Sequence, residues 1–239
     1  MSETTNGTYR LRKDLYDMNS AIGKQPVFLE EEADSELFKS LRELMELQHL
    51  YNAAIKEIQT KLEILNEDFN VRFARNPIHH VESRLKSSPS ILKKLKKKGC
   101  EISVASAKKN LNDIAGIRVV CCYIDDVYDV ADMLLRQSDI QLVKVQDYIK
   151  NPNYNGYRSL HLDLSIPVFL SESTEFVTVE VQIRTVAMDF WASLEHDLRY
   201  KSEKNIPPEI CQAMLESASS IAEIDVKMQE IYKQIQELS

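Results

Sequence analysis

The chain has 239 residues and a mass of 27.6 kDa, long enough to bury its own core without disulfides or metals. Its 30 Lys and Arg against 37 Asp and Glu give a formal charge of -7, which argues against a general DNA- or RNA-coating protein. No apolar run approaches the roughly 20 residues a membrane helix needs, so no membrane partner is expected.

Residues 1–34 are mixed and polar, ending in Glu30-Glu31-Glu32, and predict no regular element. They also lack the basic-then-apolar layout of a signal peptide, so a cytoplasmic location is the simplest expectation. From Ser35 the pattern changes. Leu37, Leu41, Leu44, Gln48, Tyr51, Ile55, Ile58, Leu62, Leu65 and Phe69 recur every three or four residues, predicting one long helix. Ser35 suits its N-cap, and Asn76-Pro77 forces its end.

Arg84 to Lys98 carries seven basic residues and no acidic one; set aside, they leave -14 on the rest. One cationic segment on an acidic chain suits a small polyanion. Arg84, Lys86 and Lys94 flank Ser88-Pro89-Ser90, a helix start, where phosphate binds well. A solvated helix face is the plainer reading of the same lysines.

The middle of the chain predicts a mixed sheet of at least four strands with helices against it. Ile117 to Ile124 is a buried strand, Asp125 to Gln137 a helix, and Ile140 to Val145 a strand. Ser159–Ile166 and Phe176–Arg184 alternate as strands, and residues 185–202 are helical. The alternation places Glu180, Gln182 and Arg184 opposite Val179, Val181 and Ile183, and His161 and Asp163 opposite the leucines. A carboxylate, an amide, a guanidinium and an imidazole can thus share one open face. Asp113, where a loop enters the buried strand, has the oxygen chemistry that Mg2+ takes, and Arg118 within so apolar a strand needs a partner. In Asn151–Arg158, Gly156 provides a hinge, Tyr157 a ring able to stack on a base, and Arg158 a cation for phosphate.

His196-Asp197 lacks the further His and Asp ligands of a metal phosphohydrolase, so His196 is expected to line or support a site. Five glycines and no Walker-type loop mean that side chains hold any nucleotide. Adjacent Cys121 and Cys122, in an apolar run, read as buried thiols. Beyond Pro207-Pro208, a looser stripe of Ile221, Ile224, Met228, Ile231, Ile235 and Leu238 predicts a second terminal helix, packing on the core, on the first helix or on another subunit.

Five ordered blocks resemble the small alarmone synthetases, stand-alone relatives of the synthetase domain in long Rel/Spo enzymes. They are His80–Ile91, Asp113–Arg118, Asn155–His161, Glu180–Thr185 and Phe190–His196. The resemblance implies an α+β fold with a mixed sheet of nucleotidyltransferase-like type flanked by helices. It divides the chain into an extension (1–34), a synthetase domain with its N-terminal helix (35–206) and a C-terminal oligomerisation helix (207–239). It implies transfer of the ATP β,γ-diphosphate to the 3'-hydroxyl of GDP or GTP, with AMP released. Asp113 and Glu180 are then the catalytic carboxylates and Mg2+ ligands. Arg84 and Arg118 sandwich adenine, while Lys86, Ser90, Lys94 and Lys97 grip the triphosphate. Tyr157 stacks on guanine, with Arg158, His161, Gln182 and Arg184 on the acceptor side. Relatives commonly carry Lys where Asn153 stands, which removes one acceptor-phosphate contact.

The resemblance also implies a homotetramer, and a chain too short for the long enzymes' hydrolase and regulatory domains. Two other readings remain at this point: transfer to an adenine nucleotide or a tRNA 3' end, and a non-catalytic nucleotide- or RNA-binding regulator. Net charge does not support RNA, and no DNA partner is expected.

Overall fold

A computed structural model describes residues 36–201 and 206–238, and divides the chain into two units, Met1–Leu44 and Met45–Ser239. The expectations for residues 1–34 and for Ser35 as a cap lie outside the described residues. Helix α1 runs Glu36–Phe73. Its buried face within the second unit is Leu47, Leu50, Tyr51, Ala54, Ile55, Ile58 and Leu62. The expected stripe is right from Tyr51 to Leu62. Before that the buried position is Leu47 and not Gln48, because a straight helix drifts against a strict 3.5-residue repeat. The helix stops where Ala74, at φ 52°, donates its amide to Asn70 O, ahead of Pro77.

Five strands follow: β1 (Ile78–Leu85), β2 (Ala115–Cys121), β3 (Gln141–Asp147), β4 (Leu160–Phe169) and β5 (Thr174–Thr185). They form one mixed sheet in the order β1-β2-β5-β4-β3, with β2 parallel to β5 and the other pairs antiparallel. Strand β1 had no sequence signal. It is an edge strand with a mostly exposed pattern, so no clean alternation marks it. The other edge, β3, is exposed at five successive residues.

Between β1 and β2 lie two short helices, α2 (Ser88–Lys97) and α3 (Val104–Asn110). They bury Ile91, Leu95 and Ala107, with Leu111 and Ile114 nearby in the chain. Helix α4 (Ile124–Leu135) buries Val127, Val130, Ala131 and Leu134 and packs on β2 and β5. The apolar sheet face is Ile117 and Val119 of β2, Leu162, Leu164 and Ile166 of β4, and Val179, Val181 and Ile183 of β5, all at most 2 % exposed. Burying each such side chain stabilises by about 1.5–3 kcal/mol. The polar residues of the same strands therefore lie on the other face.

Helix α5 (Val186–Lys201) continues directly from β5. Thr185 caps it, its Oγ1 accepting from Met188 N at 3.1 Å. Helix α6 (Pro208–Glu237) packs on α5 and α4. Its orientation differs from the apolar pattern. Ala218, Asp225 and Gln229 are buried, whereas Ile224, Met228 and Ile231 are exposed. The polar pair turns inward because it is satisfied there: Thr185 donates to Asp225 at 2.7 Å, and Gln229 accepts from Asp125 N at 2.9 Å. Tyr232 stacks on Tyr123 with centroids 4.2 Å apart, and Lys233 pairs with Asp125. Cys121 is buried as expected; Cys122 is only half-buried, and all four cysteines are free thiols.

Candidate active site

The polar sheet face gathers most of the residues singled out above. Strand register sets Gly116 between Arg84 of β1 and Glu180 of β5, and Arg118 between Glu82 and Gln182. With no side chain at Gly116, the floor between Arg84 and Glu180 stays open, and these residues line one cleft. A Cβ there would lie 3.7 Å from Arg84 Cγ. Arg118 finds its partner in Glu82 at 3.0 Å.

Asp113 stands at the head of β2 with Lys86 Nζ at 2.8 Å and Lys94 Nζ at 2.6 Å, both on Oδ2. Burial works to raise its pKa, but the two ammonium groups prevail and hold it below the ordinary carboxylate value. Its other oxygen, Oδ1, is buried without a hydrogen-bond partner. Glu180 behaves oppositely. Burial, with Asp113 and Asp163 nearby, pushes it up against the opposing effects of Gln182 and Lys94. Ser90 is in the first turn of α2, hydrogen-bonded with Ser87 at 2.9 Å, and Lys97 is exposed in its last turn.

On the other side of Glu180, the face continues through β4, with His161 opposite Gln182 and Asp163 opposite Glu180. A chain of contacts runs across it. Gln182 donates to Glu180 at 2.9 Å, Arg184 donates to Gln182 at 2.8 Å and to Tyr157 Oη at 3.2 Å, and Tyr157 Oη meets His161 Nε2 at 2.8 Å. The Arg184 guanidinium also lies 5.5 Å from the Tyr157 ring centroid. Burial, with Arg184 and Lys144 adding positive charge, depresses His161 to about 4, so it is neutral at pH 7. Burial raises the Tyr157 hydroxyl and lowers Arg184.

One expected residue is placed elsewhere. Arg158 does not join His161 and Gln182 but lines a small pocket against α5 and α6, with Gly156, Trp191 and Asp225. Successive residues of an extended segment point to opposite sides, so directing Tyr157 to the sheet directs Arg158 to the helices. Asn153 spends its backbone on the turn, accepting from Gly156 N and donating to Tyr157 O. His196 is exposed on α5; its neighbour Glu195 accepts from Asn155 at 3.0 Å.

Several residues of the site carried no sequence signal. Asp189, in the first turn of α5, lies 3.7 Å from Arg118 and 3.5 Å from Arg184. Asn112 donates to Asp163 at 2.9 Å, Tyr148 packs edge-on to Tyr157 and His161, and Lys144 extends the face opposite Asp163. Carboxylates at helix starts and lysines in strands are common. A helix start at residue 186 together with alternation through β3 was the only signal that could have found Asp189 and Lys144.

This arrangement has a counterpart among known proteins. The family described as "Region found in RelA / SpoT proteins" matches residues 83–205, which spans Arg84 to α5. The GTP pyrophosphokinase YwaC of Bacillus subtilis (strain 168) is 44 % identical over 186 residues, covering 78 % of this chain and 89 % of the relative. The crystal structure of small alarmone synthetase 2 from Bacillus subtilis superposes with a TM-score of 0.72 at 43 % identity, covering 79 % of this chain and 98 % of that one. Small alarmone synthetase 1 of the same organism, solved bound to its product pppGpp, gives 0.71 at 34 % identity over 78 % and 95 %. With sheet, flanking helices and sequence blocks all in agreement, the chain belongs to the small alarmone synthetases of the RelA/SpoT family.

Proposed function

We propose that the chain makes (p)ppGpp by moving the β,γ-diphosphate of ATP to the ribose 3'-hydroxyl of GDP or GTP, releasing AMP. The observation that carries this reading is the placement of Asp113 and Glu180 on one open face, between a cationic donor side and an aromatic acceptor side. The acceptor's 3'-oxygen forms a bond to the β-phosphorus. The bond from that phosphorus to the oxygen shared with the α-phosphate breaks, its electron pair leaves with AMP, and the hydroxyl proton passes to Glu180. A carboxylate with a raised pKa is suited to that task.

Arg84 and Arg118 are diagonal neighbours across β1 and β2, a spacing of about 7–8 Å with the Cβ atoms somewhat closer. That is close to what a planar adenine needs between two guanidinium groups. Lys86 and Lys94, with Ser90 and Lys97 along α2, grip the triphosphate. The N-terminus of α2 has no side-chain cap and directs free amides to the same anion. Tyr157 stacks on guanine, and His161, Gln182 and Arg184 line the acceptor side.

The buried, unpartnered Oδ1 of Asp113, whose charge also acts on Glu180, fits a hard divalent cation. Mg2+ takes one or two carboxylates and completes its shell with water and phosphate. Asp113 and Glu180 would hold Mg2+, which would supply charge neutralisation on the donor phosphates. The residues themselves then work by positioning and electrostatics.

Residues 35–206 carry the catalysis, and 207–239 the assembly. The exposed Ile224, Met228 and Ile231 of α6 are covered by a second copy of the chain in a homotetramer. No helix of the described residues is long and apolar enough to cross a membrane, and the enzyme works in the cytoplasm with ATP and GTP.

The test is incubation with ATP, Mg2+ and GDP or GTP, with nucleotides separated by anion exchange. AMP should appear together with a 3'-diphosphorylated guanosine nucleotide. Absence of both defeats the reading, and product on ATP, AMP or a tRNA 3' end in place of the guanine acceptor reassigns the substrate.

A further inference from the structure

The loop that presents Tyr157 rests on the C-terminal helix. A Cβ built on Gly156, whose φ is +84°, would lie 2.4 Å from Ala218 Cβ and 3.4 Å from Leu215 Cδ1, both on α6. Only glycine allows so close an approach with that backbone. Trp191 of α5 closes the third side, its Cζ2 3.8 Å from the same point. Beneath the loop, Asp225 of α6 is buried at 7 % exposure, accepts from Thr185 at 2.7 Å and shares the pocket with Arg158. Burial raises the Asp225 pKa, opposed by the Thr185 hydrogen bond and by the Arg158 charge. From the other end of the loop, Asn155 donates to Glu195 of α5 and its side-chain oxygen accepts from Tyr157 N.

We propose that the inner face of α6 is the seat of the acceptor loop, with Ala218, Asp225 and Arg158 acting as positioning residues that set how well Tyr157 holds the guanine nucleotide. They touch neither nucleotide. The donor side depends on β1, β2 and α2, which contribute nothing to this pocket. A disturbed seat therefore weakens acceptor binding while leaving ATP binding and the chemical step intact. Asp225 is the stronger anchor because it fastens α6 to Thr185, the residue joining β5 to α5. This inference rests on the guanine-acceptor reading proposed above.

The experiment uses the full chain and two readouts. Steady-state AMP release gives KM for GDP and for ATP separately. Trp191, the single tryptophan of the chain and a wall of the seat, reports the loop by fluorescence as GDP is titrated in. Ala218→Leu and Arg158→Ala should raise KM for GDP about tenfold, with kcat and KM for ATP within about twofold. Arg158→Lys should recover most of that loss, since it restores the charge facing Asp225. Asp225→Asn keeps an acceptor for Thr185 and should fall between. Ser219→Leu, an equal enlargement on an exposed position of α6 off the Ile224–Ile231 row, should behave as the parent protein. Unchanged KM for GDP in Ala218→Leu and Arg158→Ala overturns the proposal, as does an equal rise in both KM values. If the parent protein releases no AMP, the function fails, yet the Trp191 titration still decides the seat: GDP must change the parent's fluorescence and do so at about tenfold higher concentration in Ala218→Leu.

Discussion

Lys94 Nζ lies 2.6 Å from Asp113 Oδ2, and that oxygen also accepts from Lys86 at 2.8 Å. One carboxylate thus balances two ammonium groups, while its second oxygen is buried without a partner. Asp113→Asn removes the charge with little change of shape. Turnover should fall by at least about 100-fold, the scale for losing a principal electrostatic group. Binding of a non-hydrolysable ATP analogue without Mg2+ should stay within about threefold, because both lysines remain. Calorimetry alongside AMP release checks the two arms. Full activity in the variant would remove Asp113 from the mechanism.

Asp189 bridges the two halves of the site without touching Glu180's immediate partners. It lies within 4 Å of both Arg118 and Arg184, and its Oδ1 is buried with no hydrogen bond. These are long ion pairs that orient two guanidinium groups through charge. Asp189→Asn should raise KM for ATP through Arg118 and KM for the acceptor through Arg184, each by about three- to tenfold. A change in one KM alone would assign Asp189 to that half. The contrast with Ala218→Leu, expected to move only the acceptor KM, makes the pair of variants a map of the site.

The neutral His161 makes stability depend on pH. Its folded pKa, about 4, lies below the ordinary value of 6.5, so between those values the unfolded chain binds more protons. Unfolding free energy therefore falls as pH is lowered from 6.5 toward 4 and is insensitive to this group above 6.5. The displacement corresponds to about 3 kcal/mol over the whole window. Glu180, whose pKa is raised, acts with the opposite sign and is common to parent and variant. In urea denaturation at pH 7.5 and pH 5, His161→Gln should lose less stability than the parent. Equal losses would mean that His161 titrates in the fold as it does in the unfolded chain.

The sequence patterns that were legible are those tied to a repeat. Alternation along β4 and β5 placed His161, Asp163, Glu180, Gln182 and Arg184 on one face, where the strand register brings them together. What escaped was set by contacts distant in sequence. Strand β1 has no alternation because it is an edge, so Glu82 went unnoticed beside Arg118. Arg158 was grouped with Tyr157 by adjacency, although neighbouring residues in an extended loop diverge. On α6 the apolar spacing left open whether its stripe faces the core or another subunit, and Ile224, Met228 and Ile231 prove to face away from the core. Asp225 and Gln229 are polar yet inward, and only Thr185 and Asp125, 40 and 104 residues away in sequence, make them so.

That inversion yields the last prediction. An exposed row of Ile224 (58 %), Met228 (48 %) and Ile231 (39 %) on α6 is a poor surface for an isolated subunit. The inner face is already fixed by hydrogen bonds from Thr185 and Gln229 and by the Tyr123–Tyr232 stack, so the outer one is available to a second copy. Charges placed there should separate subunits without unfolding them, since the mutated side chains contribute little to the subunit's own core. Ile224→Glu combined with Ile231→Glu should reduce the mass measured by multi-angle light scattering from that of a tetramer to that of a dimer or monomer. The circular dichroism spectrum and melting temperature at fixed subunit concentration separate dissociation from misfolding. An unchanged tetramer would place the interface elsewhere; a monomeric parent would remove the assembly altogether. Because the same helix seats the acceptor loop on its inner face, the dissociated variant should also show a raised KM for GDP, whereas its KM for ATP should not move.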